Sequence, residues 1–187
     1  MQPFPIELWR PEDNSASHLQ PDLTMLAEVL HATVHAGGSV SFVLPFSMDD
    51  ACSFWRDCIL PDVRAGKRRV LAARDESKIV GTVQLNLNTP PNQPHRAEVQ
   101  KLLVHPGWRR KGIARALMAG IEEVAGAEGR TLLTLDTVRA GAAEPLYRSM
   151  GYVPAGVIPR YALNASRSEL EDTTVFYKEL ALNPLSA

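Results

Sequence analysis

One segment near the middle of the chain, residues 97–117, constrains the fold more than any other. It reads as a hydrophobic strand, then a short basic turn that contains a glycine, and then the start of an amphipathic helix. In this order, backbone N–H groups at the start of the helix lie beside several cations, which favours binding of a phosphate or pyrophosphate. The ordinary alternative is a helix whose basic first turn is only solvated. The spacing alone leaves these two interpretations about equally open.

The turn itself has the pattern Arg-x-x-Gly-x-Ala, from Arg109 to Ala114. Gly112 allows a ligand to approach the backbone without a Cβ clash, and Ala114 is small enough for close packing at the helix start. A nucleoside triphosphate loop would need G-x-x-x-x-G-K-[ST], and a dinucleotide fold would need G-x-G-x-x-G. Neither pattern is present, so these two nucleotide-binding classes are not predicted.

The remaining segments predict a mixed α/β sheet in one domain, which suits a chain of 187 residues. Hydrophobic spacing predicts strands over 6–10, 69–74, 79–87, 97–105, 131–135, 151–157 and 173–180, and helices over 21–35, 47–65, 110–125 and 142–150. The first hairpin and the tail imply antiparallel pairs, whereas the strand–helix–strand unit over 97–135 implies a right-handed parallel crossover. Residues 1–20 are expected to form an N-terminal segment with the first strand, and residues 21–182 the main body of the domain.

The composition argues against several other classes of function. A net charge of −1 provides no overall field that would attract nucleic acid or an anionic membrane. No apolar stretch is long enough to span a bilayer, and the N-terminus lacks the basic and apolar regions of a signal peptide. Cys52 and Cys58 lie six residues apart in one predicted helix, which suits neither a disulfide nor a metal site. We therefore expect a cytoplasmic protein with no metal, nucleic-acid or membrane partner.

Three motifs in a fixed order then point to a family. They are Val99-x-x-Leu102-Leu103-Val104-x-Pro106, the Arg-x-x-Gly-x-Ala turn, and Leu146-Tyr147-x-x-x-Gly151-Tyr152. Together they resemble the GNAT superfamily of acyl-CoA-dependent N-acyltransferases, and the matching order of elements extends from Ile6 to Leu180. The resemblance implies a mostly antiparallel sheet with one splayed parallel strand pair, flanked by helices.

The same resemblance implies acetyl-CoA as cosubstrate and assigns residues to it. The turn would bind the pyrophosphate of CoA through Arg109, Arg110, Lys111, Gly112, Ile113, Ala114 and Arg115. The preceding strand would be splayed from its neighbour by a bulge. Backbone groups of Leu102, Leu103 and Val104 would then pair with the pantetheine arm and the acetyl carbonyl. One departure is the loop 139–144, which lacks the Asn that many GNAT proteins place before the Tyr helix.

A closer similarity is to the tabtoxin-resistance acetyltransferases and their bacterial relatives. It rests on the segments 33–42, 96–102, 135–137 and 159–162. This similarity implies a small-molecule amine as acceptor, but it is patchy in the loops, where substrate choice is made. Family membership therefore transfers to this chain more readily than the substrate does. The oligomeric state stays open, with a homodimer as one possible assembly.

Amine acetylation needs a base for the attacking ammonium and an acid for the leaving thiolate. Tyr147 is the candidate acid, and its alternative is a core aromatic. Glu98, on the strand before the turn, and Asp136, at the end of the next predicted strand, are the candidate bases by resemblance. For both carboxylates the alternative is binding the substrate ammonium without proton transfer, and for Asp136 also a turn cap.

The resemblance and these residues together imply direct transfer of acetyl from acetyl-CoA to the primary amine of a small molecule within a ternary complex. Two other functions stay open at this stage. One is a protein or peptide N-terminal acetyltransferase, which needs an open groove over the thiol rather than a closed pocket. The other is a regulatory domain that binds acyl-CoA without turnover.

Overall fold

The computed structural model describes residues 4–11 and 16–181, and one sheet crosses them with the strand order β1-β2-β3-β4-β5-β7-β6. The strands are β1 Ile6–Leu8, β2 Arg68–Asp75, β3 Lys78–Asn86, β4 Arg96–Val104, β5 Leu132–Val138, β6 Val153–Leu163 and β7 Leu170–Glu179. Only β4 and β5 pair in parallel among these strands, and the other neighbours are antiparallel. The mixed, mostly antiparallel sheet with one parallel pair is thereby confirmed.

Helices cover both faces of this sheet. They are α1 Ala16–His35, α2 Met48–Ser53, a π-helical segment Phe54–Ile59, α3 Leu60–Arg64, α4 Ile113–Ala127 and α5 Glu144–Ser149. The sequence predicted one regular helix over 47–65, but the structure widens its middle into a π-turn. Pro61 has no N–H to donate, and the preceding Leu60 N–H bonds to the Trp55 carbonyl five residues earlier.

Two hydrophobic clusters, one on each face, hold the helices to the sheet. On the first face, Leu26, Leu30 and Trp55 are fully buried between α1, the π-turn and the sheet. On the opposite face, Leu117 and Ile121 of α4 are fully buried against β2–β5. Each such side chain contributes roughly 1.5–3 kcal/mol by leaving water. We call these the α1 face and the α4 face below.

The parallel pair separates soon after it begins. β4 and β5 are in register only at Arg96–Leu132, Ala97–Leu133 and Glu98–Thr134. Beyond Glu98, β4 stays paired with β3, while β5 stays paired with β7. A wedge-shaped gap therefore opens between the two strands, toward the basic turn.

Several boundaries differ from the predictions. α4 begins at Ile113 rather than 110, because Arg110 and Gly112 have positive φ angles of 65° and 84°, which a right-handed helix cannot include. β5 continues to Val138 rather than ending at 135, since its pairing with β7 extends to Val138–Thr173. Asp136 consequently lies within β5 and not at its end. α1 also begins earlier than predicted, at residue 16.

Candidate active site

The basic turn lies at the N-terminus of α4, with open space in front of it. Gly112 adopts φ +84°, and a Cβ built there would meet no atom within 4 Å. Among the described residues, no side chain caps the start of α4. The first N–H groups of this 15-residue helix are thus free to bind an anion.

Cations surround this helix start, and several contacts hold the turn in place. Exposed basic side chains are Arg109, Arg110, Lys111 and Arg115. Arg115 Nη2 donates to the Ser149 hydroxyl of α5 at 2.7 Å, and Lys111 Nζ lies 5.9 Å from the centre of the Trp108 ring. Trp108 Nε1 in turn donates to Asp75 Oδ2 at 2.7 Å. The turn is therefore fastened both to α5 and to the β2–β3 hairpin.

The strand leading to the turn carries a bulge. Between the Gln84–Gln100 and Thr82–Leu103 pairs, β4 has one residue more than β3, and Lys101 there adopts φ +50°. In a strand without a bulge, alternation would place Leu102 on the same face as Glu98. The bulge moves Leu103 onto the α1 face and turns Leu102 toward the α4 face.

Close packing positions α4 against this strand. At Gly81 of β3, an added Cβ would lie 3.0 Å from the Leu103 carbonyl oxygen and 3.1 Å from Ile113 Cγ2. Glycine is thus needed for β3 to approach both β4 and the first residue of α4. The Ile113 side chain is buried, which leaves its backbone N–H as the group that a ligand can reach. Val104 and Leu102 are only partly buried, beside the gap.

The two candidate bases lie on the same face of the sheet. Glu98 is paired with Thr134, and Asp136 follows two residues later on β5, about 7 Å further along the strand. Asp136 is exposed, and its Oδ2 lies 3.0 Å from the Thr173 hydroxyl of β7. The same hydroxyl lies 2.8 Å from the Thr137 carbonyl, so its single proton serves one of the two oxygens at a time. The structure therefore brings both carboxylates to the α1 face of the gap.

A cavity of about 100 Å³ opens beside Asp136. Its walls include Ser39, Ser41, Asp136, Tyr161, Glu171 and Thr173. Asp172 also lines it, so three carboxylates contribute negative charge, and Asp172 is partly neutralised by Arg139 at 3.3 Å. Such a lining favours an ammonium group over an anion.

Tyr147 belongs to the hydrophobic cluster on the opposite face of the sheet, the α4 face. It lies on α5, is buried, and packs edge to face with Tyr152 at 5.8 Å between ring centres. Burial raises the pKa of the Tyr147 hydroxyl, and the charge of Asp136 raises it further. The charge of Asp136, on the α1 face, therefore acts on the Tyr147 hydroxyl from the other side of the sheet.

The loop before α5, residues 139–144, lacks the Asn of many GNAT proteins and is held instead by contacts of Glu144. Glu144 Oε2 accepts a hydrogen bond from the Ala140 N–H at 2.6 Å. Glu144 Oε1 also pairs with Arg148 Nη2 at 2.6 Å, one helical turn later. These contacts hold the pKa of the Glu144 carboxyl below its usual value, with Arg148 as the largest cause. They fix the start of the helix that carries Tyr147.

Sequence reasoning missed Lys101, which lies on the α1 face within electrostatic range of both candidate bases. Burial lowers the pKa of its ammonium, Asp136 and Glu98 oppose that shift, and Arg68 adds to it. Its signal in the sequence was a lone lysine inside a hydrophobic strand, which is costly unless the ammonium has a function or a partner.

Arg68 was also missed. It is buried on the same face, where its Nη1 donates to the side-chain oxygens of Gln84 and Gln100 at 2.8 Å each. Asp62 pairs with its Nη2 at 3.3 Å. This network fills the base of the α1 face with side chains that bond to one another, whereas the cavity beside Asp136 is open.

Neither a membrane span nor a metal cluster occurs among the described residues. No helix there is long and apolar enough to cross a membrane. No group of three or more His, Cys, Asp or Glu side chains in that part of the chain is arranged to hold a metal ion.

Comparison with known sequences identifies the family. The model of the acetyltransferase (GNAT) family matches residues 40–152, which include β4, the basic turn, α4 and Tyr147. The chain belongs to this family and is an N-acetyltransferase. An uncharacterised N-acetyltransferase of Azospirillum brasilense, from the hisH–hisA intergenic region, is 30% identical over 117 residues, which cover 62% of this chain and 67% of that protein.

Solved structures agree with the fold. An N-acetyltransferase from Staphylococcus aureus superposes with a TM-score of 0.75 at 16% identity, covering 94% of this chain and 98% of that one. A protein of Salmonella typhimurium described as an acetyltransferase also gives 0.75 at 16% identity, covering 96% and 95% of the two chains. That structure contains its cofactor acetyl-CoA. At these identities the likeness establishes the GNAT fold.

Proposed function

We propose that this protein transfers the acetyl group of acetyl-CoA directly to a primary amine of a small molecule, with both substrates bound at once. The observation that carries the proposal is the gap between β4 and β5. It has the open basic turn at one end and an acidic cavity on the α1 face. An anionic acyl carrier and an amine can therefore approach the gap from different sides.

The residues of the turn fit acetyl-CoA. Its pyrophosphate would be held by the N–H groups of Gly112, Ile113 and Ala114, beside the exposed side chains of Arg109, Arg110, Lys111 and Arg115. The backbone of Leu102, Leu103 and Val104, unpaired on the β5 side, would hold the pantetheine arm and the acetyl carbonyl. When bound, acetyl-CoA supplies the acetyl thioester.

On the acceptor side, the carboxylates bind the ammonium and remove its proton. Asp136 lines the cavity and Glu98 lies on the same face, so either can accept the proton, directly or through water. The neutral amine then forms a bond to the acetyl carbon as the bond from that carbon to sulfur breaks, and the nitrogen releases its second proton to solvent to give the neutral amide. Asp136 and Glu98 also attract the ammonium electrostatically before reaction.

On the other side of the gap, the Tyr147 hydroxyl donates a proton to the leaving sulfur and then recovers one from solvent. A phenol with its ordinary pKa of about 10 is already protonated at neutral pH, which is the form that an acid requires. Burial and the charge of Asp136 raise the pKa of Tyr147 further, which makes the hydroxyl a weaker acid than a free phenol. Burial in the aromatic cluster with Tyr152 and Phe176 fixes the orientation of the ring.

The size of the cavity favours a small acceptor over a peptide. A volume of about 100 Å³, walled by Ser39, Ser41 and Tyr161, suits a compact amine rather than the extended groove that a peptide needs. The similarity to the tabtoxin-resistance enzymes favours an amino-acid-like acceptor within this class. The presence of Glu98, Asp136 and Tyr147 around one gap favours turnover over a binding-only role.

The experiment is a screen for acetyl-CoA-dependent release of free CoA thiol. The panel contains tabtoxinine-like amino acids, aminoglycosides, polyamines and short peptides. We expect turnover with a small amine. Turnover with peptides alone would favour an N-terminal acetyltransferase, and tight acetyl-CoA binding without any turnover would favour a regulatory domain.

The same assay assigns the base. Asp136→Asn and Glu98→Gln remove the proton acceptor but preserve shape, so the variant that lacks the base should lose about 10²–10⁴-fold in kcat. If both variants keep their kcat and only the KM for the amine rises, the carboxylates bind the ammonium without accepting its proton.

A further inference from the structure

The loop between α1 and α2, residues 36–47, forms one wall of the cavity through Ser39 and Ser41. Its ends are well fixed. The Gly38 N–H donates to the Thr33 carbonyl at 2.9 Å, and the Leu44 N–H donates to the Ala165 carbonyl at 2.8 Å. Nearer to α2, His35 Nε2 lies 2.8 Å from the Phe46 carbonyl oxygen. Both ends of the loop are thereby held to neighbouring elements.

The part that lines the cavity is held differently. Among the described residues, 39–43 make no backbone hydrogen bond to the rest of the chain. The one hydrogen bond that these residues make with the described part of the chain comes from Lys101 Nζ, which donates to Ser41 Oγ at 2.8 Å. The same ammonium lies 5.7 Å from the centre of the Phe42 ring. A single side chain of β4 therefore contacts two consecutive residues of the loop.

Both partners of this contact have unusual backbone conformations. Lys101 is the extra residue of the β4 bulge, at φ +50°, and Ser41 is at φ +74°. Neither is glycine, so each conformation costs energy that its surroundings must offset. The bulge places Lys101 on the α1 face, within electrostatic range of Asp136 and Glu98. No carboxylate oxygen in the described part of the chain lies within ion-pair distance of Nζ.

We propose that Lys101 is a positioning residue for the amine acceptor, acting as a latch that holds Ser41 and Phe42 against β4 and so sets the shape of the cavity wall opposite Asp136. The inference rests on the proposed function, because it takes this cavity as the acceptor site. The latch joins the wall to the strand whose backbone borders the β4–β5 gap. Movement of the loop would therefore change the distance between a bound amine and that gap.

The test separates binding of the amine from the chemical step. Lys101→Met keeps the length of the side chain and removes its donor, and Ser41→Ala removes the acceptor hydroxyl. For the best amine of the screen, each variant should raise the acceptor KM about tenfold, the equivalent of about 1.4 kcal/mol. The affinity for acetyl-CoA and the kcat should stay within about twofold. Lys78→Met, at an exposed lysine that begins β3, is the matched control and should change nothing.

The double variant supplies the decisive comparison. If Lys101 and Ser41 act through one contact, the double variant should raise the KM no more than the larger single change does. Additive effects would overturn the latch, as would a KM that rises in Lys101→Met but not in Ser41→Ala, since Lys101 would then contact the acceptor itself. A fall in kcat with an altered pH profile in Lys101→Met would also overturn it, by giving Lys101 a part in proton transfer.

A second measurement needs no turnover. Chymotrypsin cleaves after aromatic residues, so Phe42 reports on release of the loop from β4. Cleavage after Phe42 should be several-fold faster in both single variants than in wild type or Lys78→Met, at unchanged Tm. Equal cleavage rates would overturn the latch even if no amine in the screen is acetylated, whereas a screen without turnover would by itself contradict only the proposed function.

Discussion

Individual side chains divide the proposed chemistry between the two faces of the sheet. Glu98, Asp136 and Lys101 lie on the α1 face, whereas Tyr147 belongs to the core of the α4 face. Asp136 acts on both faces, because its negative charge raises the pKa of the Tyr147 hydroxyl and opposes the lowering of the Lys101 pKa by burial. A proton can thus leave the amine on one face while another reaches the sulfur from the opposite face.

Replacing Tyr147 with Phe tests the acid. The ring still fills the space beside Tyr152 and Phe176, so the fold and acetyl-CoA affinity should change little. The kcat should fall about 10²–10⁴-fold, because the sulfur then leaves without a proton donor. Steady-state kinetics and acetyl-CoA titration measure both quantities. Tyr152→Phe removes a neighbouring hydroxyl from the same cluster and should keep its kcat, and an unchanged kcat in Tyr147→Phe would remove the acid role.

The raised pKa of Tyr147 also predicts a pH dependence. An isolated tyrosine loses its proton near pH 10, but burial and Asp136 favour the neutral form in the folded protein. Hence kcat should not decline between about pH 8 and pH 10 through Tyr147. The stability linked to this group is complete below about pH 10 and is lost as the pH rises further, since the unfolded chain then releases the proton more readily. Melting curves from about pH 8 to pH 11 should therefore fall less steeply for Tyr147→Phe than for wild type.

The helices and strands position these residues, and the N-terminus of α4 has the most distinctive geometry among them. The helix can begin at Ile113 because Arg110 and Gly112 turn the chain through left-handed conformations just before it. The result is an uncapped helix N-terminus with exposed cations and free space in front. This geometry favours the anion-site interpretation over a merely solvated basic turn.

A pair of glycine variants tests the turn. Gly112 and Gly129 both have positive φ angles, of 84° and 70°, and an added Cβ meets no atom within 4 Å at either position. Valine should therefore strain the backbone at both sites by about 1–2 kcal/mol. Only Gly112→Val should also weaken acetyl-CoA binding, by about tenfold or more, because it alters the N–H groups at the start of α4. Equal affinities of the two variants by calorimetry would contradict the assignment of the turn.

The sequence was informative where local chemistry decides the structure. Helical spacing on α4 and alternation on β2 and β3 predicted those elements to within a few residues, and the Arg-x-x-Gly-x-Ala pattern located the turn. Long-range pairing was harder to foresee. The length of β5 depends on its pairing with β7, and the position of the bulge at Lys101 depends on the register of β4 with β3. The cavity and the Lys101–Ser41 contact follow from that pairing, so no local pattern indicated them.

At the scale of the whole molecule, the gap is the place where β4 and β5 stop pairing within the sheet. Backbone groups along the gap lack strand partners over a region bordered by both hydrophobic clusters. A ligand that fills the gap would join β4 to β5 and should stabilise the whole domain. The net charge of −1 means that attraction of an anionic ligand must come from the local cluster of cations on the turn and not from the molecule as a whole.

Thermal unfolding with acetyl-CoA tests both the stabilisation by a ligand in the gap and the contribution of the cations on the turn. A ligand at about 100 times its Kd stabilises the folded state by about 2.7 kcal/mol, which corresponds to roughly 5–10 °C in Tm for a chain of this length. Since the cations on the turn are exposed, salt should screen them, and the shift at a fixed ligand concentration should shrink between about 0.05 M and 0.5 M NaCl. Pantetheine, which lacks the pyrophosphate, is the control, and its smaller shift should not depend on salt. An acetyl-CoA shift that is the same at both salt concentrations would mean that the exposed cations of the turn contribute little to binding, and that the helix N-terminus and the strand gap hold the ligand.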